Sequence, residues 1–498
     1  MREPNRISGG IPAPGPCASA PDAPGPAIPG PAVLRVNDPR GRLVVLTTVL
    51  GSGVALLDST IVNVALPTIG RDLGADLTGV QWVISAYALT LAALILLGGS
   101  LGDRFGRRRV YIWGVAGFAV ASMLSALSPN IATLVGARAL QGVAAALLTP
   151  GSLAILQSSF CPADRMRAIG VWTGSLSIAA ASGPLVGGWL VGYDWRWVFW
   201  VNAPLCVVVI ALAARNVPES RNPVASHHID VPGVLLGALG LAGVTYALTA
   251  LPGHGLDALT VAAGGGGVLG LVAFILTERR SRHPMLPTML FASRNFSVIN
   301  VVTFAIYAAL SGTFLFLVLF LQVVSGWTAL RAGAAAVPLS VVMLLLASRF
   351  GTLATRIGAR PLIIGGPLTA ATGLVLLSLS PSHPSYVLSV LPGVTLLGFG
   401  LAMTVAPLTG TVLAAAPDEL AGTASGVNNA VARTAGLMAV AALPVIVGLS
   451  GNEYADPASL APAYRNALLI CAAIMLSGAA LTALGLPRRR EMPAVATG

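Results

Sequence analysis

From residue 43 to residue 487 the chain is a succession of apolar runs broken by Gly, Pro and Arg. A bilayer core about 30 Å thick is crossed by about 20 helical residues rising about 1.5 Å each. Fourteen runs meet that length, at 44–69, 80–100, 110–128, 131–156, 168–192, 197–214, 232–251, 257–277, 295–322, 332–350, 361–379, 386–408, 426–448 and 466–486. The run 257–277 contains Gly264 to Gly267, a poor helical stretch. If it or 197–214 failed, the count would be wrong and the loops would change sides. The expected fold class is therefore all-α, a polytopic membrane protein of fourteen helices.

Composition agrees. Charged residues make up 9% and hydrophobic ones 55%, with a mean hydropathy of +0.82, whereas soluble domains carry about 25% charged residues. Such a chain cannot cover a water-facing surface, and its apolar surplus must face lipid. All 29 basic residues are Arg, and the net charge is +11. They cluster in short loops, which is the pattern of membrane topology rather than phosphate recognition, so no nucleic-acid partner is expected. The absence of Lys removes a P-loop and Schiff-base chemistry, and fits a GC-rich genome. Cys17, Cys161, Cys206 and Cys471 form no CxxC pair, so neither a disulfide framework nor a zinc site is indicated. The five histidines lack metal-ligand spacing, and His227 and His228 fit a solvated loop. No metal or cofactor is expected.

Loop charge orients the chain. With the N-terminus inside, 20 arginines from Arg35 onward fall in cytoplasmic segments and four (Arg71, Arg196, Arg331 and Arg465) in outer loops. This positive-inside bias requires an even helix count and puts both termini in the cytoplasm. Residues 1–42, rich in Pro, Gly and Ala, are expected to be a disordered cytoplasmic tail, and 488–498 a second tail.

The chain also repeats itself. Gly99-Ser-Leu-Gly-Asp103-Arg104-Phe-Gly106-Arg107-Arg108 after helix 2 matches Gly351 to Arg360 after helix 10 at Gly, Leu, Arg, Gly and Arg. The stretch from Pro150 to Val171 matches Pro407 to Val427 with one residue fewer. The simplest division is a six-helix bundle at 43–222, two extra helices and a linker at 223–294, and a second six-helix bundle at 295–487. Such repeats mark secondary transporters that alternate access around a central site.

Four stretches carry chemistry. The first is Leu57-Asp58-Ser-Thr-Ile-Val-Asn63-Val-Ala-Leu-Pro67 in helix 1. A mid-helix aspartate costs about 2.5–3.5 kcal/mol to insert. Asp58 is either satisfied by a polar neighbour that fixes packing, or titrates while facing a cavity. The second is Arg138-Ala-Leu-Gln141-Gly142 in helix 4. Counting along the helices puts Asp58 about 16 Å and Arg138 about 10 Å from the outer surface, near enough in depth to share one site. Gln141 lies one turn further on the same face. The third is the loop after helix 2, where Asp103 near a helix end opposes the helix dipole unless it pairs elsewhere. The fourth is Gly170-x8-Ala179-x3-Gly183-Pro184-x2-Gly187-Gly188 in helix 5, whose small residues permit close packing and whose Gly-Pro pair allows a bend.

Over about residues 43–487, these stretches resemble the major facilitator superfamily, and within it the fourteen-helix drug:proton antiporters of the EmrB/QacA type. The resemblance implies proton coupling through Asp58 and Arg138. It also implies a conformational latch from Gly99, Asp103, Arg104, Gly106, Arg107 and Arg108, one-sided because Thr355 replaces the acid in the second copy. Helix 5, with Gly170, Gly183, Pro184, Gly187 and Gly188, matches the motif associated with antiporters, except for Ala at one Gly position. Asn63, Gln141, Gly142 and Tyr307 are expected to line a substrate cavity.

Arg433 in helix 13 is placed about two turns from the cytoplasmic end, where it either snorkels or serves function. Asp230 before Val231-Pro232 should cap helix 7. The expected activity is proton-coupled export of small amphiphiles across a bacterial plasma membrane, by a monomer whose partners are protons, substrate and lipid. The alternatives are a proton symporter and an exporter of an endogenous metabolite. An intramembrane enzyme or a receptor would need a catalytic cluster or a soluble domain, and neither is evident. Because Asp58 is the only acid placed deep in the membrane, neutral or weakly cationic substrates fit better than dications.

Overall fold

The computed structural model describes residues 34–221, 230–281, 288–416 and 421–487. These hold fourteen helices long and apolar enough to cross a bilayer: α1 (Pro39–Asp72), α2 (Leu77–Phe105), α3 (Arg107–Ala126), α4 (Ile131–Ser159), α5 (Arg167–Val191), α6 (Trp197–Asn216), α7 (Pro232–Leu251), α8 (Ala258–Arg280), α9 (Arg294–Val324), α10 (Ala329–Ile357), α11 (Ala359–Ser378), α12 (Tyr386–Ala414), α13 (Thr423–Ile446) and α14 (Pro457–Gly485). Each expected span has its helix. His227 and His228, most of the 1–42 tail and the 488–498 tail lie outside the described residues.

Boundaries differ where a cap was overlooked. α14 begins nine residues before the expected 466 because Asp456 accepts from Ser459 N at 3.0 Å and Pro457 opens the helix. The Ser459 hydroxyl holds this exposed carboxylate below its usual range. α1 likewise starts at Pro39, not 44. The end of the expected tail is ordered, since Leu34 bridges Phe160 and Val36 N donates to Asp164 Oδ2 at 3.0 Å. Asp230 caps α7 through Gly233 N at 2.9 Å, as expected. Cys206 and Cys471 are free; Cys161 is disulfide-bonded, which the scattered spacing did not signal.

The packing repeats with an offset of eight helices. In the first half α1 packs on α5 and α6, α2 on α4, and α3 on α4 and α6. In the second, α9 packs on α13 and α14, α10 on α12, and α11 on α12 and α14. The halves meet where α2 lies on α13 and α5 on α10, two seams that exchange under the same correspondence. The pair α7–α8 stands outside this frame, resting on α2 and α13 through α7.

The halves are tied at the arginine-poor ends of their helices. Leu77 N donates to Gly451 O at 2.9 Å, Tyr454 Oη to Ala75 O at 2.6 Å, and Gln81 Nε2 to Val440 O at 2.8 Å. Gln322, in a π-helical turn at the end of α9, donates to Val64 O of α1 at 2.9 Å. Toward the arginine-rich ends, a Cβ on Gly170 or Gly174 of α5, or on Gly410 of α12, would meet nothing within 4 Å.

The Gly264–Gly267 stretch stays helical because tertiary contact outweighs its poor propensity. A Cβ on Gly267 would come within 2.5 Å of Val244 N, and one on Gly243 within 2.9 Å of Gly267 Cα. The two extra helices therefore touch backbone to backbone. Gly243→Val or Gly267→Val should destabilise the purified protein by about 1–3 kcal/mol. Gly265→Val, facing open space, should cause no loss, and thermal unfolding in detergent compares the three.

Candidate functional site

The depth estimate brings Asp58 and Arg138 to one site, and the structure closes the contact. Arg138 Nη1 donates to Asp58 Oδ2 at 2.5 Å and to Gln141 Oε1 at 2.6 Å, while Arg138 Nε donates to Val83 O at 3.0 Å. The other carboxylate oxygen accepts from Gln141 Nε2 at 2.8 Å and from Asn202 Nδ2 at 2.9 Å. Both amides also reach Ser122 Oγ, at 2.8 Å and 3.3 Å. The guanidinium lies over the Tyr87 ring, 4.4 Å from its centroid, with the Phe199 ring at 5.8 Å. Asp58, Ser122, Gln141 and Asn202 are 0% exposed and Arg138 1%.

The expectation that Asp58 faces a cavity is corrected here. Its carboxylate points into the first half, among α3, α4 and α6. An ion pair fully removed from water gains on its desolvation cost only when the remaining donors and acceptors are also matched. Here three donors meet the carboxylate and three acceptors, the carboxylate included, meet the guanidinium. One atom is left over: Asn202 Oδ1 is buried without a partner.

Asn202, Ser122 and Tyr87 were not singled out from the sequence. Asn202 carried a usable signal, an amide inside an apolar run beside Pro204. Ser122 and Tyr87 carried none, because Ser and Tyr are ordinary in membrane helices.

Glycines bring the supporting helices close. A Cβ on Gly142 would come within 3.1 Å of Tyr87 C, so α4 and α2 meet where the Tyr87 ring receives Arg138. On α5, a Cβ on Gly183 would strike the Thr60 side chain, and one on Gly187 would lie 3.0 Å from Ile61 Cα, less than a turn beyond Asp58. A Cβ on Gly188 would fall 2.8 Å from Ala329 O in α10, and Gly333 of α10 abuts the Pro184 backbone. The Gly-Pro segment thus touches the Asp58 helix on one side and the other half on the opposite side. Gly170 of the same motif packs on nothing.

The loop after α2 turns through Gly106 at φ +109°, and its repeat through Gly358 at φ +91°. Arg107 pairs with Asp103 at 2.8 Å. Arg108 N donates to Glu219 Oε1 at 3.1 Å, Arg108 Nη1 to Val217 O at 3.2 Å, and Arg107 N to Ser220 O at 2.9 Å. Arg104 stacks on Phe105 at 5.1 Å, and a Cβ on Gly99 would lie 3.7 Å from Pro150. All these contacts lie within the first half, and Glu219 enters the loop as a partner that the sequence did not point to.

The four expected cavity residues do not share one environment. Gln141 is spent on Asp58 and Gly142 on the α2–α4 contact. Asn63 and Tyr307 are half-buried, and neither side chain is hydrogen-bonded among the described residues.

Comparison with known proteins agrees with this architecture. Residues 48–441 match the model of the Major Facilitator Superfamily. The chain is 39% identical over 435 residues to a puromycin resistance protein of Streptomyces alboniger, covering 84% of each. It is 33% identical over 405 residues to a tetracenomycin C resistance and export protein of Streptomyces glaucescens, covering 81% of this chain and 75% of that one. Among solved structures, a POT family transporter in complex with 5-aminolevulinic acid superposes with a TM-score of 0.68 at 14% identity, over 90% of this chain and 96% of that one; that likeness concerns the fold. The chain belongs to the major facilitator superfamily, as a fourteen-span protein of the bacterial plasma membrane.

Proposed function

We propose that this protein exports drug-like molecules in exchange for protons, with Asp58 as the proton carrier and both termini in the cytoplasm. The observation that carries this reading is the fully buried Asp58–Arg138 pair, which ties α1 to α4 and, through Asn202, to α6. The relatives named for puromycin resistance and tetracenomycin C export support the direction of transport.

Protonating Asp58 removes one charge of the pair and leaves Arg138 uncompensated. Losing one partner of a buried pair costs about 3–5 kcal/mol. One proton entering down its gradient supplies about 2.3 kcal/mol per 100 mV, plus about 1.4 kcal/mol per pH unit. The two are of the same order, so a single proton suffices to loosen α1 from α4 and α6. The protonated carboxyl also needs an acceptor for its new O–H. Asn202 Oδ1 is unpaired and buried beside it, and rotating that amide exchanges donor for acceptor. α1 then moves against α5, whose Gly187 and Gly188 transmit the shift to α10.

The state described is closed at its arginine-poor side, where substrate would leave. Substrate therefore enters from the arginine-rich, cytoplasmic side, and the cavity is lined in part by the unspent Asn63 and Tyr307. The Asp103 loop serves as the latch of the opposite, outward-facing state, released here and held within its own half.

In respiring everted vesicles, puromycin should partly discharge the acid interior through the wild type. Asp58→Asn should insert normally and give no discharge. Retained discharge in Asp58→Asn overturns the carrier assignment, and a pH change of opposite sign favours symport. The orientation is tested by an impermeant maleimide on intact cells: Asn452→Cys should label and Arg221→Cys should not.

A further inference from the structure

Arg433 is the charge that the coupling site does not use. It lies ten residues after Thr423 and thirteen before Ile446, about 15 Å and about 20 Å from the two ends of α13 at 1.5 Å per residue. This is deeper than two turns, and too deep to snorkel freely. It is half-buried, and it makes no ion pair or hydrogen bond among the described residues. Arg138, the other deep guanidinium near it, is neutralised by Asp58.

Helix periodicity fixes where Arg433 points. A Cβ on Gly426, one heptad before it, would lie 3.4 Å from the Leu96 side chain of α2, and the main-chain carbonyl of Val440, one heptad after it, accepts from Gln81 of α2. Arg433 therefore lies on the seam between the halves. On the adjoining face of α13, Asn428 donates to Asn300 Oδ1 at 3.1 Å and Thr303 Oγ1 at 2.8 Å of α9, and Gly436 abuts Ser311. Tyr307 falls between those two levels of α9, level with Arg433. The guanidinium is within electrostatic reach of Tyr307 and of Tyr87. Tyr87 is the ring on which Arg138 rests.

From this geometry we infer that Arg433 is an oxyanion-binding subsite of the substrate path, with the Tyr307 hydroxyl as a second donor. The preferred substrates are amphiphiles carrying a carboxylate or another acidic group. An unpaired guanidinium at this depth is costly, and a bound anion neutralises it with a charge-assisted, bidentate contact. The Asp58 charge is consumed internally while the Arg433 charge is not, so at this subsite an acidic substituent is favoured over its neutral counterpart, and puromycin, which carries no acid, passes without that contact. Tyr87, within electrostatic reach of the subsite, also receives Arg138, the proton carrier's own partner. The second half's position corresponds to Ser177 in the first, so the anion site, like the proton site, is not duplicated. This inference rests on the transport reading above for calling the seam a substrate path.

The test is equilibrium binding to the full-length purified protein in detergent at neutral pH, with no proton gradient. The probes are N-dansyl-leucine and its methyl ester, which differ by one negative charge. The wild type should bind the acid about tenfold or more tighter than the ester. Arg433→Gln should erase that preference at an unchanged thermal-unfolding midpoint in detergent, which reports an intact fold, while Arg433→Lys should retain part of it. Equal binding of both probes by the wild type, binding of neither, or a preference that survives in Arg433→Gln overturns the proposal. Because no gradient is used, a wild type that shows no preference for the acid but keeps puromycin-driven proton exchange sinks the anion site alone. Lost exchange with the preference intact sinks antiport alone.

Discussion

A carboxylate carried into hydrocarbon must be met by donors, and how Asp58 is met organises the first half of this protein. Its oxygens draw Arg138 and Gln141 from α4 and Asn202 from α6, while Ser122 of α3 collects the remaining amide hydrogens. Four helices are thus held by one negative charge. In water such a cluster contributes little to stability, since each donor exchanges freely with solvent. Here no solvent reaches it, so the charge state of a single group sets whether these helices stay together.

In the proton exchange proposed above, that cluster is linked to the rest of the molecule through α5. Its glycines are placed in two directions, Gly183 and Gly187 toward α1 and Gly188 toward α10. Backbones in such close contact have no soft side chains between them to absorb a shift, so displacement of α1 is passed on rather than dissipated. The second seam, α2 on α13, carries Gln81 at one end and Arg433 further along. The two seams are related by the internal repeat but differ in chemistry: one is packed through glycine, the other carries charge. A repeated scaffold thereby holds a buried ion pair in one half and a guanidinium on the seam in the other.

Much of this was legible in the residues. Asp58 and Arg138 stood out because each is expensive at its depth, and arithmetic along two helices was enough to pair them. The glycine-rich motif of α5 was legible as close packing, though not which helices it packs on. Gly264 to Gly267 looked like a flaw in α8 and is its contact surface with α7. Asn202 was overlooked because a neutral amide stands out less in an apolar run than a carboxylate or a guanidinium does. Arg433 was placed too near a helix end because the start of α13 was set three residues too late against Thr423.

The sequence by itself determined the class, the fourteen spans, the internal repeat and the identity of the paired charges. Each of these follows from transfer costs that add along the chain and do not depend on partners. Only the tertiary structure decided where those charges point: Asp58 into a sealed cluster, Arg433 unpaired onto the seam between halves. Direction around a helix axis and the satisfaction of each lone pair depend on neighbours from elements far apart in sequence. Local periodicity carries no record of those neighbours until the helices are packed.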